Sequence, residues 1–241
     1  MKSYLQDIIS HINSLGIDLV KVTGTDQQTA INAIAEDRSV IVNGTFKTTS
    51  PDFIGTYGMP NLSKLKTILS FDDYGDDSEI KMVTTNRDGV DVPETIHFET
   101  KSNDFVNNYR LMTKELVEDK VKNVTFHGNG WDIEFEPSVA NIQRLKRQAS
   151  VHSEDTVFST VVTNGELRIH FGDVTTHSGN FVFQSGVTGT LSKWKWPVKQ
   201  IIDILNLPGD KTYHITNKGA TQITIDSGLA VYNYLIPAHQ K

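Results

Sequence analysis

The chain has 241 residues, no cysteine, and 29 acidic against 23 basic side chains, a formal charge of −6. That length holds two cores of ordinary domain size, and the absence of cysteine excludes disulfides, thiolate nucleophiles and cysteine-type zinc sites. No apolar run approaches the ~20 residues that span a bilayer, and Met1-Lys-Ser-Tyr-Leu-Gln-Asp7 is polar where a secretory signal is apolar, so the sequence predicts a soluble protein with no membrane role.

In chain order, Leu5, Ile8, Ile9 and Ile12 recur at helical spacing and predict a first helix that ends at Gly16. Residues 17–23, 29–35 and 39–46 are short, rich in Val, Ile and Thr, and separated by Gly24-Thr-Asp26 and Glu36-Asp-Arg38, which predicts antiparallel strands. A second helix is expected over 60–69 with Pro60 in its first turn, followed by two strands that close the unit near Thr100. Residues 101–130 are polar and charged, and read as part connector, part extra hairpin. A strand at 131–135 then leads through Glu136-Pro-Ser138 into a helix that turns Ile142, Leu145 and Ala149 inward, with Ser138 as its N-cap. Asn164-Gly165, between strands at 157–163 and 167–171, supplies the two positive φ angles of a type I′ hairpin turn. A strand at 180–184, a helix at 197–206 and three strands ending at 229–237 complete the chain.

The second half repeats the plan of the first. Pro60-Asn-Leu-Ser-Lys-Leu-Lys-Thr-Ile-Leu69 is answered by Pro197-Val-Lys-Gln-Ile-Ile-Asp-Ile-Leu205, in which Ile201, Ile204 and Leu205 stand 136 residues after Leu65, Ile68 and Leu69. Each copy continues into a strand-like run, 79–83 or 212–216, then a glycine-containing turn and another strand. A duplicated unit of this length predicts two domains, 1–103 and 131–241, joined by 104–130.

Charge is unevenly spread. The segments 61–70, 139–150 and 191–202 hold Lys64, Lys66, Arg144, Lys146, Arg147, Lys193, Lys195 and Lys199 and no acid. Of the 23 basic residues, these eight leave fifteen against all 29 acids elsewhere. Ordinary solvated helix faces fit this pattern, and so does a surface that attracts a polyanion while the rest of the molecule repels it. With Ile142 and Leu145 inward, Arg144, Lys146 and Arg147 face solvent. No helix has the Asn, Gln and Arg spacing of a base reader, so the pattern suits phosphate contacts.

Other motifs carry less. Tyr74-Gly-Asp-Asp77 matches the metal-binding tetrapeptide of RNA-dependent polymerases, but the chain is too short and Phe71-Asp-Asp-Tyr-Gly-Asp-Asp-Ser78 reads as a solvated acidic loop. Among eight histidines only His170…Asp173…His177 places ligand types close together, and no metal or cofactor is expected. Ser185 lacks the flanking glycines of a nucleophile elbow. Lys193-Trp-Lys-Trp196 interleaves cations with indoles, a composition that stacks single-stranded bases and supports an alternative reading as a single-strand nucleic-acid binder. The structural alternative has one Trp anchoring the helix start while the lysines snorkel outward. A structural protein of paired β domains would need no basic helix faces.

Four segments carry a family resemblance: Trp131-Asp-Ile-Glu-Phe-Glu-Pro-Ser-Val-Ala-Asn-Ile-Gln-Arg-Leu-Lys-Arg147, Thr163-Asn-Gly-Glu-Leu-Arg-Ile169, Gly179-Asn-Phe-Val-Phe-Gln-Ser185 and Tyr232-Asn-Tyr-Leu-Ile-Pro-Ala238. With the element order of nearly the whole chain, they resemble the DNA polymerase sliding clamps, especially the processivity factor of T-even-type tailed bacteriophages. The last two segments are also similar to the eukaryotic clamp, proliferating cell nuclear antigen. The resemblance implies an α+β fold of two repeated domains, each packing two helices on antiparallel sheets, and three subunits closing into a ring around duplex DNA. It implies that Lys64, Lys66, Arg144, Lys146, Arg147 and Lys199, with Lys193 and Lys195 beside them, face the duplex. Asn180, Phe181, Val182 and Phe183 would meet an edge strand of the neighbour near 94–100, with Ile96 and Phe98. Val106, Tyr109, Leu235, Ile236 and Pro237 would form the pocket for a polymerase peptide. Implied partners are double-stranded DNA, the replicative polymerase, a clamp loader, further copies in a homotrimer and, in some phage clamps, late transcription factors. No catalysis and no cofactor are implied, and the setting is the cytoplasm of an infected bacterial host. The first helix, whose exposed side reads as Lys2, Asp7 and His11, departs from the pattern.

Overall fold

A computed structural model describes residues 1–126, 130–173, 175 and 177–239. The chain divides into two units, Met1–Val124 with Ser227–Tyr232, and Thr125–Asp226 with Asn233–Lys241.

In the first unit, helix α1 (Lys2–Ile12) buries Leu5, Ile8, Ile9 and Ile12 along one stripe. A 3-10 turn follows, and Gly16 at φ 77° ends it in the left-handed region, where a side chain would be strained. Strands β1 (Leu19–Gly24), β2 (Thr29–Ile34), β3 (Ile41–Phe46) and β4 (Gly55–Pro60) pair antiparallel in the order β4-β1-β2-β3. Burial alternates along β2 and β3, and Val20, Val22, Ile31, Ala33 and Val42 are wholly buried.

Pro60 does not start the next helix. It is the last residue of β4, opposite Leu19, and Asn61 turns the chain at φ 54° into α2 (Leu62–Leu69). A proline fits a strand end because the ladder asks no N–H of it there. The helix start is capped from outside, the Asp18 carboxylate accepting the Ser63 N–H at 3.0 Å and its hydroxyl at 3.2 Å.

Strands β5 (Glu79–Arg87), β6 (Val90–Glu99) and β7 (Val106–Arg110) form a second sheet in that order. The stretch expected as part connector, part extra hairpin belongs to the first unit through residue 124. It supplies β7, which pairs with β6, and α3 (Lys114–Lys120), which packs on β4 through Val117 and belongs to the first unit. Residues 127–129 of that stretch lie outside the described ones.

The second unit opens with β8 (Ile133–Phe135) and α4 (Val139–Val151), where the Ser138 hydroxyl accepts the Asn141 N–H at 3.2 Å as the sequence predicts. Ser138→Ala removes that acceptor and is expected to lower stability by about 1 kcal/mol in urea unfolding, with Ser138→Asp retaining it. Strands β9 (Val157–Thr163), β10 (Glu166–Gly172), β11 (Ser178–Ser185) and β12 (Lys195–Pro197) make a sheet of order β11-β10-β9-β12. Asn164 (φ 54°) and Gly165 (φ 75°) form the hairpin turn. After α5 (Val198–Asn206), strands β13 (Asp210–Thr216) and β14 (Ala220–Asp226) pair with each other and β13 with β8. Strand β15 (Ala230–Pro237) serves both units in turn. Its start carries Tyr232, whose hydroxyl donates to Asp7 at 2.8 Å, and Asn233 then bonds Thr224 of β14 at 2.8 Å.

The repeat is physical as well as textual. Leu65, Ile68 and Leu69 of α2 are buried in the first unit and Ile201, Ile204 and Leu205 of α5 in the second. Each unit pairs two helices, α1 with α2 and α4 with α5.

Candidate nucleic-acid interface

The face of α2 opposite its buried residues carries Lys64 and Lys66, both exposed. A groove of about 400 Å³ between α1 and α2 is lined by Gln6, Ser10, Ser14, Lys66 and Ser70, among others. The charged face expected on α1 does not exist. His11 is fully buried and stacks on Tyr232 at 4.5 Å, and Asp7 is held by Tyr232 and by the Ser227 hydroxyl at 3.0 Å. Lys2 donates to the Tyr74 carbonyl. The fully exposed residues of α1 are Ser3 and Gln6, so this helix adds neutral hydrogen-bonding groups to Lys64 and Lys66 and no repulsive acid there.

In α4, Ile142 and Leu145 are buried, Arg144 and Arg147 exposed and Lys146 half-buried. The Arg144 guanidinium lies over the Phe181 ring at 5.9 Å, which presets its direction. The helix contains no acid. Its neighbour α5 is different: Lys199 is 2.6 Å from Asp203, one turn on. The acid-free window ends at 202, one residue before that partner, so Lys199 brings a largely balanced charge.

Lys193 and Lys195 lie apart from the helices. Trp196 is buried with its indole N–H donated to Thr160 at 2.9 Å, on the sheet face that α4 covers, where His152 stacks on Phe171. Successive strand residues point to opposite faces, so exposed Lys195 lies on the other face, in register with Ser159, His170 and Asn180. There His170 is held below its ordinary pKa by burial, then by the charges of Arg168 and Lys193. These two lysines therefore share a face with Arg168, on the other side of the sheet from the α4 face that carries Arg144 and Arg147. Trp196 is thus no platform for bases, and Trp194 is half-buried. Trp194 donates to the Asn217 carbonyl at 3.0 Å and lies against Gly219, where an added Cβ would stand 3.0 Å from the ring.

The expected subunit contacts also change. Ile96 and Phe98 are wholly buried on β6, the central strand of its sheet, so 94–100 is not an edge. The outer strands there are β5 and β7. In the second unit β11 is an outer strand, with Asn180 exposed and bonded to Arg168 at 2.7 Å, Phe181 and Val182 half-buried and Phe183 buried. Of the pocket residues, Val106 is exposed on β7, whereas Tyr109 is buried, donates to the Pro60 carbonyl and has its pKa pushed up by desolvation. Leu235 and Ile236 are buried and Pro237 exposed. In the acidic loop Tyr74 is a core residue, accepting from Asn107 at 2.7 Å, while Asp72, Asp73, Asp76 and Asp77 are exposed.

No protein-family model and no curated protein matches this chain. Solved structures do. The PCNA of A. fulgidus, bound to the C-terminal region of FEN-1, superposes with a TM-score of 0.68 at 10% identity over 100% of this chain and 95% of that one. PCNA from Entamoeba histolytica gives 0.67 at 14% identity over 99% and 94%, and PCNA from Thermococcus kodakaraensis 0.68 at 12% over 99% and 97%. The fold is that of the DNA clamps, α+β, with antiparallel sheets and paired helices in two repeated units.

Proposed function

We propose that this chain is a DNA polymerase sliding clamp, a subunit of a ring that encircles duplex DNA and tethers the replicative polymerase. The observation that carries the reading is the charge on the paired helices. In a chain of net charge −6, Lys64, Lys66, Arg144, Lys146 and Arg147 occupy outward positions of α2 and α4, two helices without a single acid. They do so within a fold that superposes on PCNA over its whole length. Few, dispersed cations attract phosphates weakly and without sequence preference. A ring held on DNA by topology needs no more, and tighter contacts would stop it sliding.

No group transfer is required. The protein acts by enclosing DNA and presenting a docking site, and a separate nucleotide-driven loader opens the ring. One of the superposed PCNA structures holds the C-terminal region of FEN-1, which supports an analogous peptide from the polymerase as this chain's partner. Two units per chain favour a homotrimer. The strand β11 of one subunit would pair with the outer strand β7 of the next, where Val106 is 44% exposed. The resemblance to T-even phage clamps supports a setting in the cytoplasm of an infected bacterium, with late transcription factors as further partners. None of the described helices is long and apolar enough to cross a membrane.

Single-particle electron microscopy of lightly cross-linked protein tests the reading. Three-fold rings with a centre wide enough for a duplex are expected, and compact single chains at high concentration would overturn it.

A further inference from the structure

Glu79, His97 and Glu99 bring one ligand atom each to within 4.8 Å of one another on the β5-β6-β7 sheet of the first unit. Ile96 and Phe98 point into the core, so His97 and Glu99 point to the opposite face. Glu79 and Glu99 are direct cross-strand partners. Like charges in that relation repel, so the pair favours a cation between them. The ring of His97 is oriented for that role. Its Nδ1 is 2.8 Å from the Asn108 amide oxygen on β7, and its Nε2 is 3.0 Å from a Glu99 oxygen. An amide oxygen only accepts, so Nδ1 donates to Asn108, which leaves Nε2 as the ring nitrogen that faces the carboxylates, hydrogen-bonded there to Glu99. An ion at this site would take the place of the proton that Nε2 and the Glu99 oxygen share. Metal-ligating histidines have this orientation, one nitrogen bound to an outer acceptor and the other turned toward the ligand cluster.

We propose that Glu79, His97 and Glu99 form a site for a divalent transition metal of the zinc class, with Asn108 as the residue that positions the imidazole. One nitrogen and two carboxylate oxygens leave a fourth, water-filled position in a tetrahedral sphere. An imidazole among the donors selects zinc or cobalt over magnesium or calcium. Tetrahedral bonds of about 2.0 to 2.1 Å put neighbouring ligand atoms about 3.3 Å apart, close to the observed 3.0 Å between Nε2 and Glu99. Lys81 engages one Glu79 oxygen, Oε1, at 2.9 Å. Both partners of that pair are about half exposed, and such surface pairs contribute at most about 1 kcal/mol, so the other oxygen remains available to an ion. A bound ion would tie β5 to β6 and, through Asn108, to β7. It stands on these side chains alone, independent of the clamp reading.

The test is cobalt titration of the chelator-treated full chain at mildly alkaline pH, followed by ligand-field absorption, then displacement by zinc. One equivalent of strongly absorbing tetrahedral cobalt is expected, lost in His97→Gln and in Glu99→Gln, with Asn108→Ala weakening binding by roughly 10- to 100-fold. Zinc should raise the melting temperature of the parent chain and leave that of His97→Gln unmoved, with circular dichroism reporting that each variant is folded. Absence of the absorption bands, or bands that persist unchanged in His97→Gln, would overturn the proposal.

Discussion

In the proposed clamp, replacing Arg144, Lys146 and Arg147 together by glutamine should remove most of the hold on duplex DNA while leaving the chain folded. All three lie on the outward side of α4, whose buried contacts run through Ile142 and Leu145. The largest structural loss is the stacking of Arg144 on Phe181, worth about 0.5 to 1 kcal/mol. Each phosphate neutralised contributes a slope of roughly 0.9 to the fall of log affinity with log salt. Loss of three cations should therefore flatten the slope by about 2 to 3 for each subunit engaged. The measurement is retention on closed circular duplex across a salt series, with sequence-scrambled circles behaving alike. Two controls set the geometry. Lys193→Gln with Lys195→Gln changes the charge of the opposite sheet face by nearly the same amount and should alter retention little. Lys199→Gln should flatten the salt slope less than any α4 substitution, because Lys199 is engaged with Asp203 at 2.6 Å instead of with a phosphate. If the Lys193 and Lys195 pair proves decisive and α4 silent, the duplex meets the sheet face and the helix reading is wrong.

What the sequence made legible was periodic and local. The 3.6-residue spacing of Leu5, Ile8 and Ile12, the Asn164-Gly165 turn and the Ser138 cap each depend on neighbours within a few positions, and all three stand in the structure. The repeated helix was readable because Leu65 and Ile201 meet the same demand in two cores. Illegible features depend on which strand lies beside which. Pro60 reads as a helix start until its place opposite Leu19 is known. Ile96 and Phe98 looked like an edge because nothing local reveals that β7, from the stretch taken as connector, covers β6. Lys195 and Trp196 are adjacent in sequence and face opposite ways only because they form a strand. Composition windows failed at a boundary, Asp203 lying one residue past a segment chosen for lacking acids. The ligand cluster was invisible for the same reason as the edge. Glu79 reaches His97 and Glu99 through the register of β5 on β6, not through spacing along the chain.

In the proposed ring, Val106→Asp should turn the assembly into single chains at concentrations where the parent assembles. Strand β7 pairs with β6 on one side only, and Val106 is exposed within the unit, so the substitution touches no core and should change unfolding stability by less than about 0.5 kcal/mol. Charged side chains at strand edges are the ordinary means of blocking edge-to-edge pairing. In a closed contact the new carboxylate would be stripped of water with no cation opposite it, at a cost of several kcal/mol per contact. A three-fold ring repeats that cost at three contacts, so even a modest penalty at each shifts the midpoint of assembly by orders of magnitude in concentration. Sedimentation velocity reads the outcome directly. The matching substitution on the other strand, Val182→Asp in β11, should do the same, and rings that survive both would place the contact elsewhere. The combination with α4 separates enclosure from attraction. Val106→Asp keeps Arg144, Lys146 and Arg147 intact, yet a single chain cannot encircle DNA, so its retention on circles should vanish while its weak, salt-sensitive affinity for duplex fragments persists. A glutamine-substituted α4 should retain the ring and lose that affinity. Opposite losses in the two variants are what a topological tether predicts, whereas a binder that works by contact alone would lose both properties together.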